Sequence, residues 1–73
     1  MGQYQRDATR EKEREKGLRL AIEAAGGVRP LARLLGIAPS SLLEWWRVPA
    51  HRILQIEAVT DIPREKLRPD LYR

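Results

Sequence analysis

The sequence predicts an all-α fold, one small domain of four or five helices preceded by a charged arm. Three observations predict it. From Leu18 onward, apolar residues recur at spacings of three and four, the period of one helix face. Gly26-Gly27, Gly36, Pro39, Pro49 and Pro63 cut that pattern into short segments. No stretch alternates apolar and polar residues as a half-buried strand does, and the chain carries no internal repeat or low-complexity tract.

Length and composition bound the function. A chain of 73 residues has room for one domain, and at this size folding buries only about 60% of the surface that the unfolded chain exposes. A ligand or a second copy adds stability to so small a core, so dimerisation is expected. There is no cysteine and a single histidine, His51, which excludes disulfides and structural zinc. The opening residues MGQYQRDATREKEREKG contain no apolar run, and no later one approaches the roughly 20 residues of a membrane span. A cytoplasmic location away from the membrane is therefore expected. Arg6 stands where a myristoylation signal has Ser or Thr, so Met1-Gly2 reads as an ordinary start. The net charge of +4 suits a nucleic-acid partner without selecting one.

Residues 1–16 form the arm, and residues 17–73 the domain. On a helix, Asp7/Arg10, Glu11/Arg14, Glu13/Lys16 and Glu15/Arg19 would pair opposite charges. Such pairs contribute only about 0.2–0.5 kcal/mol each, and the segment has almost no apolar face, so a partly helical, solvated arm is expected. An arm that tracks phosphates is the alternative, weakened by four acids set against five bases.

The first helix of the domain carries Leu18, Ala21, Ile22 and Ala25 inward and stops at Gly26-Gly27. The second starts near Val28, tolerates Pro30 in its first turn, turns Leu31, Leu34 and Leu35 inward, and ends at Gly36. Pro39 opens the third, a helix over 39–47 that carries Leu42, Trp45 and Trp46 until Val48-Pro49 interrupts it. Pro49 opens the fourth, with Ile53, Ile56 and Val59 inward and Leu54 at the margin. After the Ile62-Pro63 turn, residues 64–67 form a short fifth helix.

The second and third helices carry the functional signal, because two helices joined by a short glycine-containing turn form a helix-turn-helix. Ala32, four residues before Gly36, lets the pair cross closely. Gly36 leaves the helix with positive φ at the point where the helices approach, and Ile37 plugs the space between them. Leu31 and Leu35, with Leu42 and Trp45 opposite, complete one apolar interface.

The stretches LRLAIEAAGG, LARLLGI, Trp45 with the following RVPAHRILQIEAVT, and the closing LRPDLY resemble the small all-helical Cro-like phage repressors and the related YdaS-type antitoxins. The resemblance covers residues 17–72. It implies a lambda-repressor-like fold with no catalytic activity and no cofactor. The expected protein is a homodimer that lays its third helix in the major groove of double-stranded DNA and represses transcription. A toxin or another protein is a further candidate partner, which the sequence does not select.

In relatives the third helix opens with a hydroxyl cap followed by amides; here Ala38-Pro39 take those places. The remaining base-reading candidates are Ser40, Ser41, Leu43, Glu44 and Arg47. Serines donate or accept, Leu43 meets a thymine methyl, Glu44 accepts from a cytosine amine, and Arg47 reaches a guanine or a phosphate. The alternative for Glu44, favoured because a carboxylate aimed at phosphates repels them, is an ordinary solvated helix face. Arg29 and Arg33 on the second helix, with His51 and Arg52 at the start of the fourth, are the phosphate candidates. With Trp45 in the core, Trp46 must pack on Pro49 and Leu43, on a second subunit, or on nucleic acid.

Enzyme chemistry has no residues to work with. His51 lacks a nucleophilic cysteine partner, and GGVRPL matches neither a P-loop nor a dinucleotide fingerprint. The alternative to a DNA regulator is a helix-turn-helix scaffold serving as a protein-interaction module, suggested by Pro39, Leu43, Glu44 and Trp46 on the surface that would face DNA.

Overall fold

The computed structural model describes residues 14–72. The expected pair Asp7/Arg10, and the acidic members of Glu11/Arg14 and Glu13/Lys16, lie outside the described residues. Among these residues five helices follow in order: α1 (Lys16–Ala25), α2 (Val28–Leu35), α3 (Pro39–Leu43), α4 (Ile53–Thr60) and α5 (Arg64–Leu67). A 3₁₀ turn, Ala50–Arg52, leads into α4. There is no strand among the described residues.

Local chemistry sets the helix ends. Gly26 and Gly36 have φ of 96° and 71°, left-handed values that favour glycine. Behind each, two amides turn back into the helix they close. Gly26 and Gly27 donate to Glu23 and Ile22 (3.1 and 2.8 Å), and Gly36 and Ile37 donate to Arg33 and Ala32 (3.2 and 3.0 Å). These are Schellman closures, which satisfy carbonyls that α1 and α2 would otherwise leave open. At the end of α4 the same conformation falls on Asp61, with φ 60°. The Thr60 hydroxyl donates to the Ile56 carbonyl at 2.6 Å and accepts the Ile62 amide at 3.3 Å, which fixes that exit. After Pro49 the chain first tightens into the 3₁₀ turn, with the Arg52 amide on the Pro49 carbonyl at 2.9 Å, so α4 begins at Ile53 rather than at Pro49.

Leu18, Ala21, Leu31, Ala32, Leu35, Leu42, Val48, Ile53, Ile56 and Leu67 make the core, with Ile22, Ala25, Ile37 and Trp45 packed against it. Two expected core residues are displaced. Leu34 is 50% exposed, because Leu31, Ala32 and Leu35 already span the inward arc of α2 and each residue turns about 100°. Val59 is 37% exposed for the same reason, lying a quarter-turn from the Ile53/Ile56 face. Val48, expected only to interrupt a helix, is fully buried.

The tight approach expected at Gly36 lies elsewhere. A Cβ at Gly36 would meet nothing within 4 Å, so this glycine is needed for its φ alone. A Cβ at Gly17, in the first turn of α1, would overlap the backbone carbonyl of Leu67, so α1 and α5 touch main chain to main chain. Two ion clusters hold the C-terminal segment. Glu57 accepts from the Arg64 amide (2.8 Å) and guanidinium (3.0 Å), tying α4 to α5. The Arg64 amide, and then its side chain, hold the Glu57 carboxyl below its usual range. Arg68 is 7% exposed; its guanidinium donates to the Val48 carbonyl at 2.8 Å and forks onto both Asp70 oxygens at 2.9 and 2.7 Å.

Gly17→Ala tests the α1–α5 contact. At an open helix position this change gains about 1 kcal/mol. Here it is expected to lower stability by roughly 1–3 kcal/mol, because backbone cannot move aside as a side chain can. Gly36→Val is expected to cost about 1–2 kcal/mol from φ alone. Chemical denaturation of both variants measures the two costs; a stabilised Gly17→Ala would show that α1 and α5 are further apart.

The Arg68 fork makes stability depend on acid. Hydrogen bonding to Arg68 holds the Asp70 carboxyl down at about 2, from an ordinary 3.8. The folded state therefore gives up this proton more readily than the unfolded chain. The stabilisation is complete above about pH 4 and is lost as pH falls through about 2. Thermal melts between pH 4 and pH 2 should show a shallower fall of Tm in Asp70→Asn than in the unaltered chain.

Candidate nucleic-acid interface

The turn from α2 to α3 is three residues, Gly36, Ile37 and Ala38, and α3 begins at Pro39. Proline suits a first helical position, where the missing N–H has no partner to lose. Ala38 has no side-chain oxygen to cap the helix, and its carbonyl accepts the Ser41 amide at 3.0 Å and the Leu42 amide at 3.4 Å. Leu42 is the one buried residue of α3. It anchors the helix on α2, and Pro39, Ser40, Ser41, Leu43 and Glu44 are all exposed.

The third helix is shorter than the expected 39–47. It ends at Leu43, Glu44 closes it, and Trp45, Trp46 and Arg47 lie in the turn beyond. Two causes end it. Val48 precedes proline, which disfavours helical backbone there. Carbonyls that a continuing helix would have used internally are also taken from outside: Trp46 accepts the Glu15 amide at 2.7 Å, and Val48 accepts Arg68. Leaving the helix lets Trp45 pack on the core while Val48 is buried behind it.

The structure divides the base-reading candidates. Ser40, Ser41 and Leu43 lie exposed on α3, with Glu44 exposed immediately after it. Arg47 is not on the helix. Its Nη2 donates to Glu15 Oε2 at 2.6 Å, and its guanidinium carbon stands 4.4 Å from the centre of the Trp46 ring. Glu15 thus pairs with Arg47 rather than with Arg19, and residues 14–16 are joined to the domain. Trp46 is 57% exposed, with its neighbour's guanidinium against one face.

The phosphate candidates form two groups. Arg29 and Arg33 are exposed one turn apart on α2, and Arg33 lies in the last turn, where a cation suits the helix dipole. His51 and Arg52 occupy the 3₁₀ turn, His51 exposed and Arg52 half-buried. Arg52 donates to Gln55 Oε1 at 2.9 Å, and Gln55 Nε2 donates to the Leu35 carbonyl at 3.4 Å. Gln55 therefore couples the 3₁₀ turn to the end of α2. Sequence reasoning passed over Gln55, for which the Arg52/Gln55 spacing of three was the local signal; it paired Glu15 with Arg19 rather than Arg47 and gave Arg68 no role beyond its place in LRPDLY. Among the described residues no group of His, Cys, Asp or Glu could hold a metal, and no helix is long and apolar enough to cross a membrane.

Comparison with known proteins agrees with this geometry. The family model described as "Bacterial toxin YdaS" matches residues 18–73. The Escherichia coli (strain K12) protein named "Putative transcriptional regulator YdaS" is 39% identical over 57 residues. That match covers 70% of this chain, and the chain spans 58% of that relative's length. Among solved structures, "Structure of the Cro protein from putative prophage element Xfaso 1 in Xylella fastidiosa strain Ann-1" matches with a TM-score of 0.71 and 36% identity. It covers 81% of this chain and 98% of that one.

The two tryptophans should differ in kind. Trp45→Ala removes a ring packed on the core and is expected to cost about 3 kcal/mol. Trp46→Ala removes an exposed ring and one cation–π contact, and should cost less than about 1 kcal/mol. Denaturant midpoints of the two variants check this.

Proposed function

Because the chain belongs to the YdaS family and has a Cro-like helix-turn-helix fold, we propose that it is a sequence-specific DNA-binding regulator. It performs no chemistry of its own, and as a homodimer it lays α3 in the major groove and represses transcription. One observation carries this reading. α3 is held by Leu42 alone, so Ser40, Ser41 and Leu43, with Glu44 beyond them, all face outward from a helix fixed on α2.

In this reading residues 17–73 are the DNA-binding domain and residues 1–16 its arm, of which residues 14–16 are tied onto the domain. Ser40 and Ser41 donate to or accept from base edges, Leu43 covers a thymine methyl, and Glu44 accepts from a cytosine amine. Arg29, Arg33, His51 and Arg52 bind phosphates and set the register of α3. Arg47, off the helix and paired with Glu15, contributes charge rather than base readout.

The exposure of Trp46 (57%) and Leu43 (42%) favours a second reading, a protein-interaction module on the same scaffold. Binding to duplex DNA from the protein's own promoter, compared with random duplex at the same salt, separates the two. A regulator binds its own promoter more tightly; equal affinities would sink sequence-specific regulation. Across a salt series, Arg33→Ala should weaken binding to both duplexes alike and reduce the log–log salt slope by about one unit. Ser41→Ala should instead lose discrimination by roughly 1 kcal/mol at an unchanged slope.

A further inference from the structure

We propose that Glu15 competes within the molecule for Arg47, so that a DNA phosphate binds Arg47 only by displacing the Glu15 carboxylate. The inference rests on the DNA-binding reading above and assigns Glu15 as a residue that sets its affinity.

The pair joins positions 32 residues apart, and the backbone holds it in place. The Glu15 amide donates to the Trp46 carbonyl at 2.7 Å, so the carboxylate is carried with the Trp46-Arg47 turn rather than with the arm. Arg47 uses one strong bond, Nη2 to Oε2 at 2.6 Å, while its Nε is buried with no hydrogen-bond partner in the described structure. The contact is therefore one-pronged, short of the bidentate fork that a guanidinium can make with a phosphate. The two side chains are 35% and 32% exposed, within reach of solvent and of a phosphate, and an ion pair this open adds little stability of its own.

Exchange leaves neither surface in disorder. The Trp46 ring, 4.4 Å from the guanidinium, holds the arginine in place whichever anion it meets. Glu15 keeps a cationic neighbour, since its charge is also felt by Arg68, which is itself anchored on Asp70 and the Val48 carbonyl. Glu15, Arg47, Arg68 and Asp70 thus form one electrostatic cluster with balanced charges. A phosphate that takes Arg47 leaves Glu15 facing Arg68.

Fluorescence anisotropy with promoter duplex across a salt series tests this in the full chain and in Glu15→Gln, Arg47→Ala and the double variant. Glutamine keeps the backbone bond to Trp46 and removes only the charge. Glu15→Gln is expected to bind roughly two- to fivefold more tightly and to steepen the salt slope by about 0.9 units, the contribution of one freed cation. In the Arg47→Ala background the same change should have no effect. Equal tightening there would mean that Glu15 merely repels DNA, and unaltered binding by Glu15→Gln would mean no competition; either result overturns the proposal. The unmutated chain gives a second measurement: the ¹³C shift of the Glu15 carboxyl should move on adding duplex, and a stationary signal also overturns it. A full-length chain that binds no duplex at all would overturn the DNA-binding reading itself, together with this one.

Discussion

The buried guanidinium of Arg68 is the contact on which the rest of the arrangement depends. It lies at the far end of the chain from the helix-turn-helix, yet it holds the carbonyl of Val48, just beyond the Trp46-Arg47 turn. Its planar fork is the reason an arginine fits. Two nitrogens take both oxygens of Asp70 while a third reaches Val48, a combination that a lysine's single ammonium cannot reproduce. Asp70 compensates the charge and leaves Arg68 free to sit almost wholly out of solvent. Leu67, one residue earlier, is buried with its carbonyl against Gly17, so the same short segment fixes α5 on α1 and the α3–α4 turn on both.

From that fixed point the interface divides into a rigid and an exchangeable part. α2 and α3 are rigid: the Schellman closure at Gly36, the buried Ala32 and the single anchor Leu42 fix how α3 projects. A helix of five residues has little stability of its own, so its geometry is borrowed from the packing beneath it. That economy frees nearly every side chain on α3 for contact. The Glu15–Arg47 pair on its tryptophan platform is exchangeable, held by charges that salt and competing anions weaken.

Exposed cations, rather than net charge, make this surface suited to a polyanion. Arg64 is tied to Glu57 and Arg68 to Asp70, so these two serve the fold. Arg29 and Arg33 are exposed on α2, and Gln55 links Arg52, on the 3₁₀ turn, back to the end of α2. The sequence total of +4 therefore understates the contrast between a neutralised C-terminal segment and the faces beside α3.

The sequence by itself determined the helical class, the stops at Gly26 and Gly36, the short helix at residues 64–67 and the packing of Leu31, Ala32, Leu35, Leu42, Ile53 and Ile56. These follow from chemistry that acts within about five residues: left-handed glycine, proline at a first turn, and a 3.6-residue period. The periodic rule failed only at the edges of the apolar arc, for Leu34 and Val59. Tertiary structure decided what holds the turn after α3, where the Glu15 amide and the Arg68 guanidinium take the carbonyls of Trp46 and Val48 from 31 and 20 residues away. It likewise moved Arg47 off the helix and onto Glu15, and put the closest approach at Gly17 instead of Gly36. Such partners are chosen by how the helices fold back on one another, and no local period records which carbonyl a distant donor will reach.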